Sequence, residues 1–253
     1  MYKYWLFSLS VLFFIFVSCS KTEEYVKKEL KVLKVEMKNL QNPQDITTYD
    51  FEYPADSVIK IKLSYTYYED FWIVYKFNTQ QQLSEVRFEA INGSLLYKTD
   101  YSYNSATIVA LETVDCQTPN PRLFDSTVYF RGNSGLAARS VRYTDPDGGW
   151  DPSFTCYYTW QDDELQSIVK ENYPDYDTLK FIYHTGYNPV NFTDLPLMYF
   201  SGLMCGKHLC SRLQDASPAN MNEDIIEYNK DDYPTKIITG MGGTEYRYEY
   251  IPK

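Results

Sequence analysis

Histidine is almost missing from this chain. His184 and His208 are the only two in 253 residues. A Ser/His/Asp or Cys/His nucleophilic machine would have to use one of them, and no motif sets a nucleophile beside either. Basic charge is also scarce. Lys and Arg total 24 against 34 Asp and Glu, a net charge of −10. Neutralising phosphates takes a basic footprint, so a nucleic-acid partner is excluded. The acidic surplus reads as a solvated, soluble surface. A glycine-rich phosphate cradle is lacking too, because Gly240-Met-Gly242-Gly243 leads into a strand pattern and not into a helix. The mean hydropathy of −0.45 excludes a polytopic membrane protein. No motif implies a cofactor, and the chain reads as a non-enzyme.

Aromatics, by contrast, are abundant: 26 Tyr, 14 Phe and 4 Trp make up 17% of residues. Tyrosine suits a sheet with one wet face, since its ring packs while its hydroxyl stays solvated. The organising stretch is Ile226-Glu-Tyr228-Asn229-Lys-Asp-Asp-Tyr233-Pro234-Thr-Lys236-Ile237, which reads as strand, polar turn, strand. Looser copies precede it. Strand-ending aromatics fall at Phe77, Tyr103, Phe130, Trp160, Tyr183 and Tyr228, in steps of 26, 27, 30, 23 and 45 residues. A pair of strands with its turns takes about 20–30 residues, so the first four steps fit one pair each.

The alternation predicts strands from Leu30 onward, then over 58–67, 71–77, 83–91, 95–103, 107–114, 124–130, 138–143, 154–160, 165–171, 179–183, 225–228, 235–239 and 244–250. Residues 44–57 read as a weak strand or loop. Asn92-Gly93 predicts a type I′ hairpin turn, in which both central residues take positive φ. The long final step is filled by a segment that is apolar nearly all round, Leu197, Met198, Phe200, Leu203 and Met204, with Asp194 and Pro196 before it and Gly206 after. Those are helix-start and helix-stop residues, so a buried helix is expected at about 194–206 on the concave side of the sheet, with His208 at its end. The fold class is therefore all-β: a long, strongly curved antiparallel meander, an open or nearly closed barrel with one late helix, forming a single domain over 30–253.

The N-terminus reads as a targeting segment. Lys3 supplies a basic start, Trp5 to Val17 an apolar stretch too short to span a bilayer comfortably, and Ser18-Cys19 is followed at once by polar Ser20-Lys21-Thr22-Glu23-Glu24. A small residue before Cys resembles a bacterial lipoprotein signal, which implies cleavage after residue 18, lipidation of Cys19 and a tether over 19–29. Phe16 departs from the aliphatic residue usual there. Three acyl chains at about 0.8 kcal/mol per buried methylene make a permanent membrane anchor. Lys21 with Glu23-Glu24 resembles the export signal of surface lipoproteins in some Gram-negative gut bacteria. This implies an outer-membrane, surface-exposed location, with the periplasmic leaflet as the alternative.

Cys116, Cys156, Cys205 and Cys210 remain, an even number that permits two disulfides in three pairings. Cys205-x-x-His208-x-Cys210 gathers three metal-ligand types, but structural zinc needs a fourth ligand and another spacing, so no metal is expected. Asp145-x-Asp147-Gly148-x-x-Asp151 has the carboxylate spacing of a calcium turn without a closing bidentate acid, and reads as a plain turn.

Taken together, the Tyr-x-Tyr-Asn strand-turns, the late apolar insert ending in Gly206-Lys207-His208-Leu209, and the final hairpin over 225–250 resemble a family of bacterial lipoproteins of unknown function with a porin-like fold. The resemblance covers about residues 30–253. It implies one long curved sheet, and it carries no activity or catalytic residues. Glu85, Arg87, Glu89, Lys98 and Asp100 are expected on the outer face, where a lipid-facing barrel would need an apolar band. The expected function is a lipid-anchored, non-catalytic envelope protein, a ligand-binding or envelope structural module, whose concave sheet face as a binding surface would cup a glycan, peptide or lipid, with Trp72, Trp150 and Trp160 as candidate stacking residues. The alternatives are an assembly partner for another envelope protein and a hydrolase of glycans or peptides.

Overall fold

The computed structural model describes residues 29–119, 121–144, 150–171, 177–188, 208–214, 224–239 and 243–253. Sixteen strands run through them: β1 (Leu30–Asn39), β2 (Ile46–Ala55), β3 (Val58–Tyr65), β4 (Phe71–Phe77), β5 (Leu83–Ala90), β6 (Leu95–Tyr103), β7 (Thr107–Val114), β8 (Arg122–Arg131), β9 (Ala137–Thr144), β10 (Asp151–Gln161), β11 (Glu164–Glu171), β12 (Asp177–Tyr187), β13 (His208–Gln214), β14 (Ile225–Tyr228), β15 (Pro234–Ile238) and β16 (Thr244–Pro252). They form one antiparallel sheet in which each strand pairs with its sequence neighbours, and β1 also pairs with β16. The two edges are β13 and β14. Among the described residues nothing pairs them, so the sheet is not closed into a barrel. The Tyr228 ring on the edge strand β14 packs against Gly186 on β12, leaving no room for a Cβ there.

Alternation sets the two faces. One face buries Val32, Val35, Phe51, Ile61, Ile73, Tyr75, Leu83 and Val86 in a continuous core. Its rings stack from strand to strand: Tyr65 on Phe71 (5.9 Å), Phe71 on Phe88 (5.9 Å) and Phe88 on Tyr97 (4.1 Å). Such cross-strand aromatic pairs stabilise a sheet beyond their area. The other face is charged where sequence parity expected it. Lys76 meets Glu85 at 2.7 Å, Arg87 meets Glu89 at 3.1 Å, and Lys98 meets Asp100 at 2.7 Å. Val74, in register between Lys60 and Arg87 on that face, is buried all the same, as expected if the long basic side chains lay their stems across it.

Several expectations are corrected. Residues 46–55 are a full strand, because Thr47, Tyr49 and Phe51 alternate inward. His184 lies within β12, beyond the strand expected over 179–183, and that strand runs on to Tyr187-Asn188, another aromatic-Asn ending. His208 opens β13, a strand the sequence reading did not foresee. The helix expected at 194–206 lies outside the described residues, and among those described there is no helix. At Asn92-Gly93 only Gly93 has positive φ (85°). Ala90 N–H donates to Ser94 and Gly93 N–H to Ala90, a wider turn than type I′. Both φ values are positive instead at Asp162 (52°) and Asp163 (64°), which link β10 to β11 with two residues. The Cys116 and Cys156 thiols are free.

The connections sort into two ends. At one end lie the turns 56–57, 78–82, 104–106, 132–136, 162–163 and 229–233, together with the first and last described residues, Glu29 and Lys253. Three of these are the same turn. Asn78, Gly132 and Asn229 each donate their N–H to the residue four on, and Gln81, Gly135 and Asp232 supply the positive φ. Asn78 and Asn229 add a side-chain oxygen that accepts two further N–H groups. At the opposite end lie residues 40–45, 66–70, 91–94, 115–119 and 121.

Candidate functional site

The end with the turns 40–45, 66–70 and 91–94, here the long-turn end as against the short-turn end at Glu29, carries most of the exposed apolar side chains among the described residues. Leu40, Tyr67, Tyr68, Ile91 and Trp150 lie in its turns, and Leu96, Leu123 and Phe124 one or two residues inside its strands. Tyr68 is 77% exposed and packs edge-on to Tyr65 at 6.0 Å. Arg122 lies 5.7 Å over the Phe124 ring. Aromatics on turns held by rigid strands are the usual material of a binding rim.

Just inside that rim the core face turns polar. Glu112 of β7 sits directly opposite Asp125 of β8, and Arg142 of β9 reaches diagonally to ion-pair with the Asp125 Oδ2. All three are among the last four residues of their strands at the long-turn end. Asp125 is 2% exposed, and its Oδ1 has no donor among the described residues. The Arg142 side chain is 35% exposed, so water reaches this part of the inward face. Its guanidinium lies 5.7 Å over the Phe154 ring of β10. Burial, and after it the neighbouring Asp125, pushes the Glu112 carboxyl above its ordinary range, while Arg142 pulls the other way.

Deeper on the same face, the Ser140 and Tyr158 hydroxyls are 2.7 Å apart. Cys156, in register with Ser140, is buried. Burial raises its thiol pKa despite Lys170, Tyr158 and Ser140, so it is a poor nucleophile. Nothing here resembles a base placed on a nucleophile. Among the described residues no group of three or more His, Cys, Asp or Glu gathers as metal ligands.

The residues singled out from sequence scatter. Trp72 is on the charged face with the Lys60 ammonium 4.6 Å over its ring. Trp160 is at the short-turn end, where its indole N–H donates to the Ala137 carbonyl at 2.6 Å. Of the three tryptophans only Trp150 joins the rim. Cys19, Cys205, and Asp145 and Asp147 of the calcium-like turn lie outside the described residues. The Glu112–Asp125–Arg142 cluster was missed, because strand parity carries which face each residue takes but not the register that sets them together. Ile108, Ala110 and Glu112 alternate on one face, as do Asp125, Thr127 and Tyr129.

No family model matches the chain, and no curated protein does. Solved structures do. A porin-like protein from Bacteroides uniformis ATCC 8492 is similar over 87% of this chain and 98% of its own, with a TM-score of 0.50 and 10% identity. A porin-like protein from Bacteroides vulgatus ATCC 8482 covers 89% of this chain and all of its own, with a TM-score of 0.40 and 11% identity. The first of these likenesses shows that the chain has a porin-like, all-β fold.

Proposed function

We propose that the chain is a lipid-anchored, non-catalytic module of the Gram-negative cell envelope that binds a glycan or peptide at its long-turn end. The observation that carries this reading is that four of the six exposed aromatics among the described residues, Tyr67, Tyr68, Phe124 and Trp150, lie in or beside the turns of the end opposite Glu29. The Lys253 N–H donates to the Glu29 carbonyl at 3.0 Å, which ties both ends of the described chain to the short-turn end. A tether from Cys19 to residue 29 then sets the short turns toward the membrane and the aromatic rim away from it. The charged face supports a lipid-anchored module over a transmembrane barrel. Arg87 and Lys98 lie mid-strand, where a lipid-facing basic side chain costs about 2–4 kcal/mol.

The test is binding of the mature protein to arrayed polysaccharides and peptides, with Tyr68→Ala and Trp150→Ala beside it. At least a tenfold loss of a bound ligand in either variant is expected. Unchanged binding in both variants refutes the rim, and turnover of the ligand refutes the non-catalytic reading. One observation favours an assembly role as a second reading. Ile225, on the edge strand β14, is 61% exposed, and exposed edges invite pairing with another chain.

A further inference from the structure

We infer that the Glu112–Asp125 pair binds the primary ammonium group of a small molecule, with Arg142 fixing Asp125 and Phe154 walling the site. This rests on the reading that the long-turn end is the binding end.

Two carboxylates face each other across one rung of the sheet, on the side that forms the core. Like charges directly opposite destabilise a strand pair. A purely structural sheet would put a cation or an apolar side chain at one of the two positions. Arg142 satisfies one oxygen of Asp125 and leaves Oδ1, buried, without a donor. An acceptor left that way costs about 1–3 kcal/mol. Glu112 has no ion pair or hydrogen bond among the described residues, and its other in-register neighbour is Thr99 of β6, which is neutral. The charged groups around the pair are therefore Arg142 on β9 and, further along the face, Lys170 on β11.

Two acids against one guanidinium leave one negative charge unmatched and a buried acceptor open. A primary ammonium answers both, since it carries one positive charge and three N–H donors that can span Glu112 and Asp125 Oδ1. A neutral hydroxyl supplies a donor without the charge. A hard divalent cation takes six or more oxygens, and two carboxylates fall well short. The access seen at Arg142 gives the ammonium a way in.

The test is calorimetric titration of the full mature protein at pH 7 with glucosamine, cadaverine and N-acetylglucosamine. The first two carry the ammonium on a sugar and on an alkyl chain; the third has the same ring as glucosamine but no charge. Glucosamine, cadaverine or both should bind at least tenfold tighter than the acetylated sugar. The member that binds identifies the source of the ammonium. Glu112→Gln should weaken that binding at least tenfold while the protein stays folded by thermal melting. Equal binding of glucosamine and its acetylated form overturns the inference but leaves the binding reading standing, as does binding that Glu112→Gln does not change. Binding of none of the three overturns the inference, and the polysaccharide and peptide array then decides the broader reading separately.

Discussion

The two ends of the sheet are built from different chemistry. At the short-turn end, aromatic residues near the ends of even-numbered strands turn their polar tips onto main-chain carbonyls of the preceding strand. Tyr53 donates to Val32 (2.8 Å), Tyr103 to Leu83 (2.7 Å), Trp160 to Ala137 (2.6 Å) and Tyr250 to Pro234 (2.5 Å). Burial pushes the Tyr53 hydroxyl up to about 12 against the pull of its own hydrogen bond, and it raises Tyr250 as well. At the long-turn end the rings of Tyr67, Tyr68 and Trp150 are exposed. The same residue types thus lock one end and decorate the other. The aromatics near the ends of β2, β6, β10 and β16 are structural, and those in the turns of the opposite end are available.

Matched substitutions at the two ends test that contrast. Trp160→Ala removes a large packed ring and a hydrogen bond, and should cost about 3–5 kcal/mol in urea unfolding, whereas Trp150→Ala should stay within about 0.5 kcal/mol. Asn229→Ala deletes the acceptor for two N–H groups and should cost about 2 kcal/mol. Asn92→Ala should cost less, since Asn92 Oδ1 accepts one main-chain N–H, that of Ser94, and its second donor is an exposed hydroxyl that water can serve instead. Tyr103→Phe keeps the ring and loses one bond to a carbonyl, for about 1 kcal/mol, while Tyr68→Phe should change nothing measurable. The smallest effect is at the acid pair. Glu112 holds its proton more tightly in the folded state, so its contribution is full below its ordinary pKa of 4.5 and is lost as pH rises through the raised value. Glu112→Gln should therefore be the more stable protein at pH 7, and the two melting curves should converge near pH 4.

Most of the sheet was legible because alternation and turn residues agreed. Ile59, Ile61 and Leu63 face one way and Lys60 and Lys62 the other, and the strand is where that pattern put it. Failures came where one local signal was read alone. Gly93 satisfied the turn by itself, so Asn92 had no need of positive φ. Gly132 makes the same backbone turn as Asn78 and Asn229, which shows that the asparagine reinforces the turn and does not create it. The aromatic repeat puts a strand end at Tyr183, yet β12 continues to Tyr187. The rim was half visible, since Trp150 stood out and Tyr67-Tyr68 did not. The acid pair needed a fact that sequence does not hold: which residue of β8 lies across from Glu112. Register across a seven-residue turn is set by the whole sheet.

The pairing of β1 with β16 has a consequence for how the chain reaches this state. Every other rung joins neighbours in sequence, so hairpins can form as the polypeptide emerges. Val35 and Tyr248 pair across 213 residues (248 − 35). Closing a loop of that length costs on the order of 5 kcal/mol of chain entropy. The contact becomes cheap only after the intervening hairpins have shortened the effective distance. The last strand made is the one that shields the first, so until it arrives β1 presents Val32 and Val35 on an unpaired edge. A stalled or truncated product would expose that edge to aggregation. Joining residue 253 to residue 29 through a short linker and opening the chain within 115–121 would make the pairing local and should speed folding.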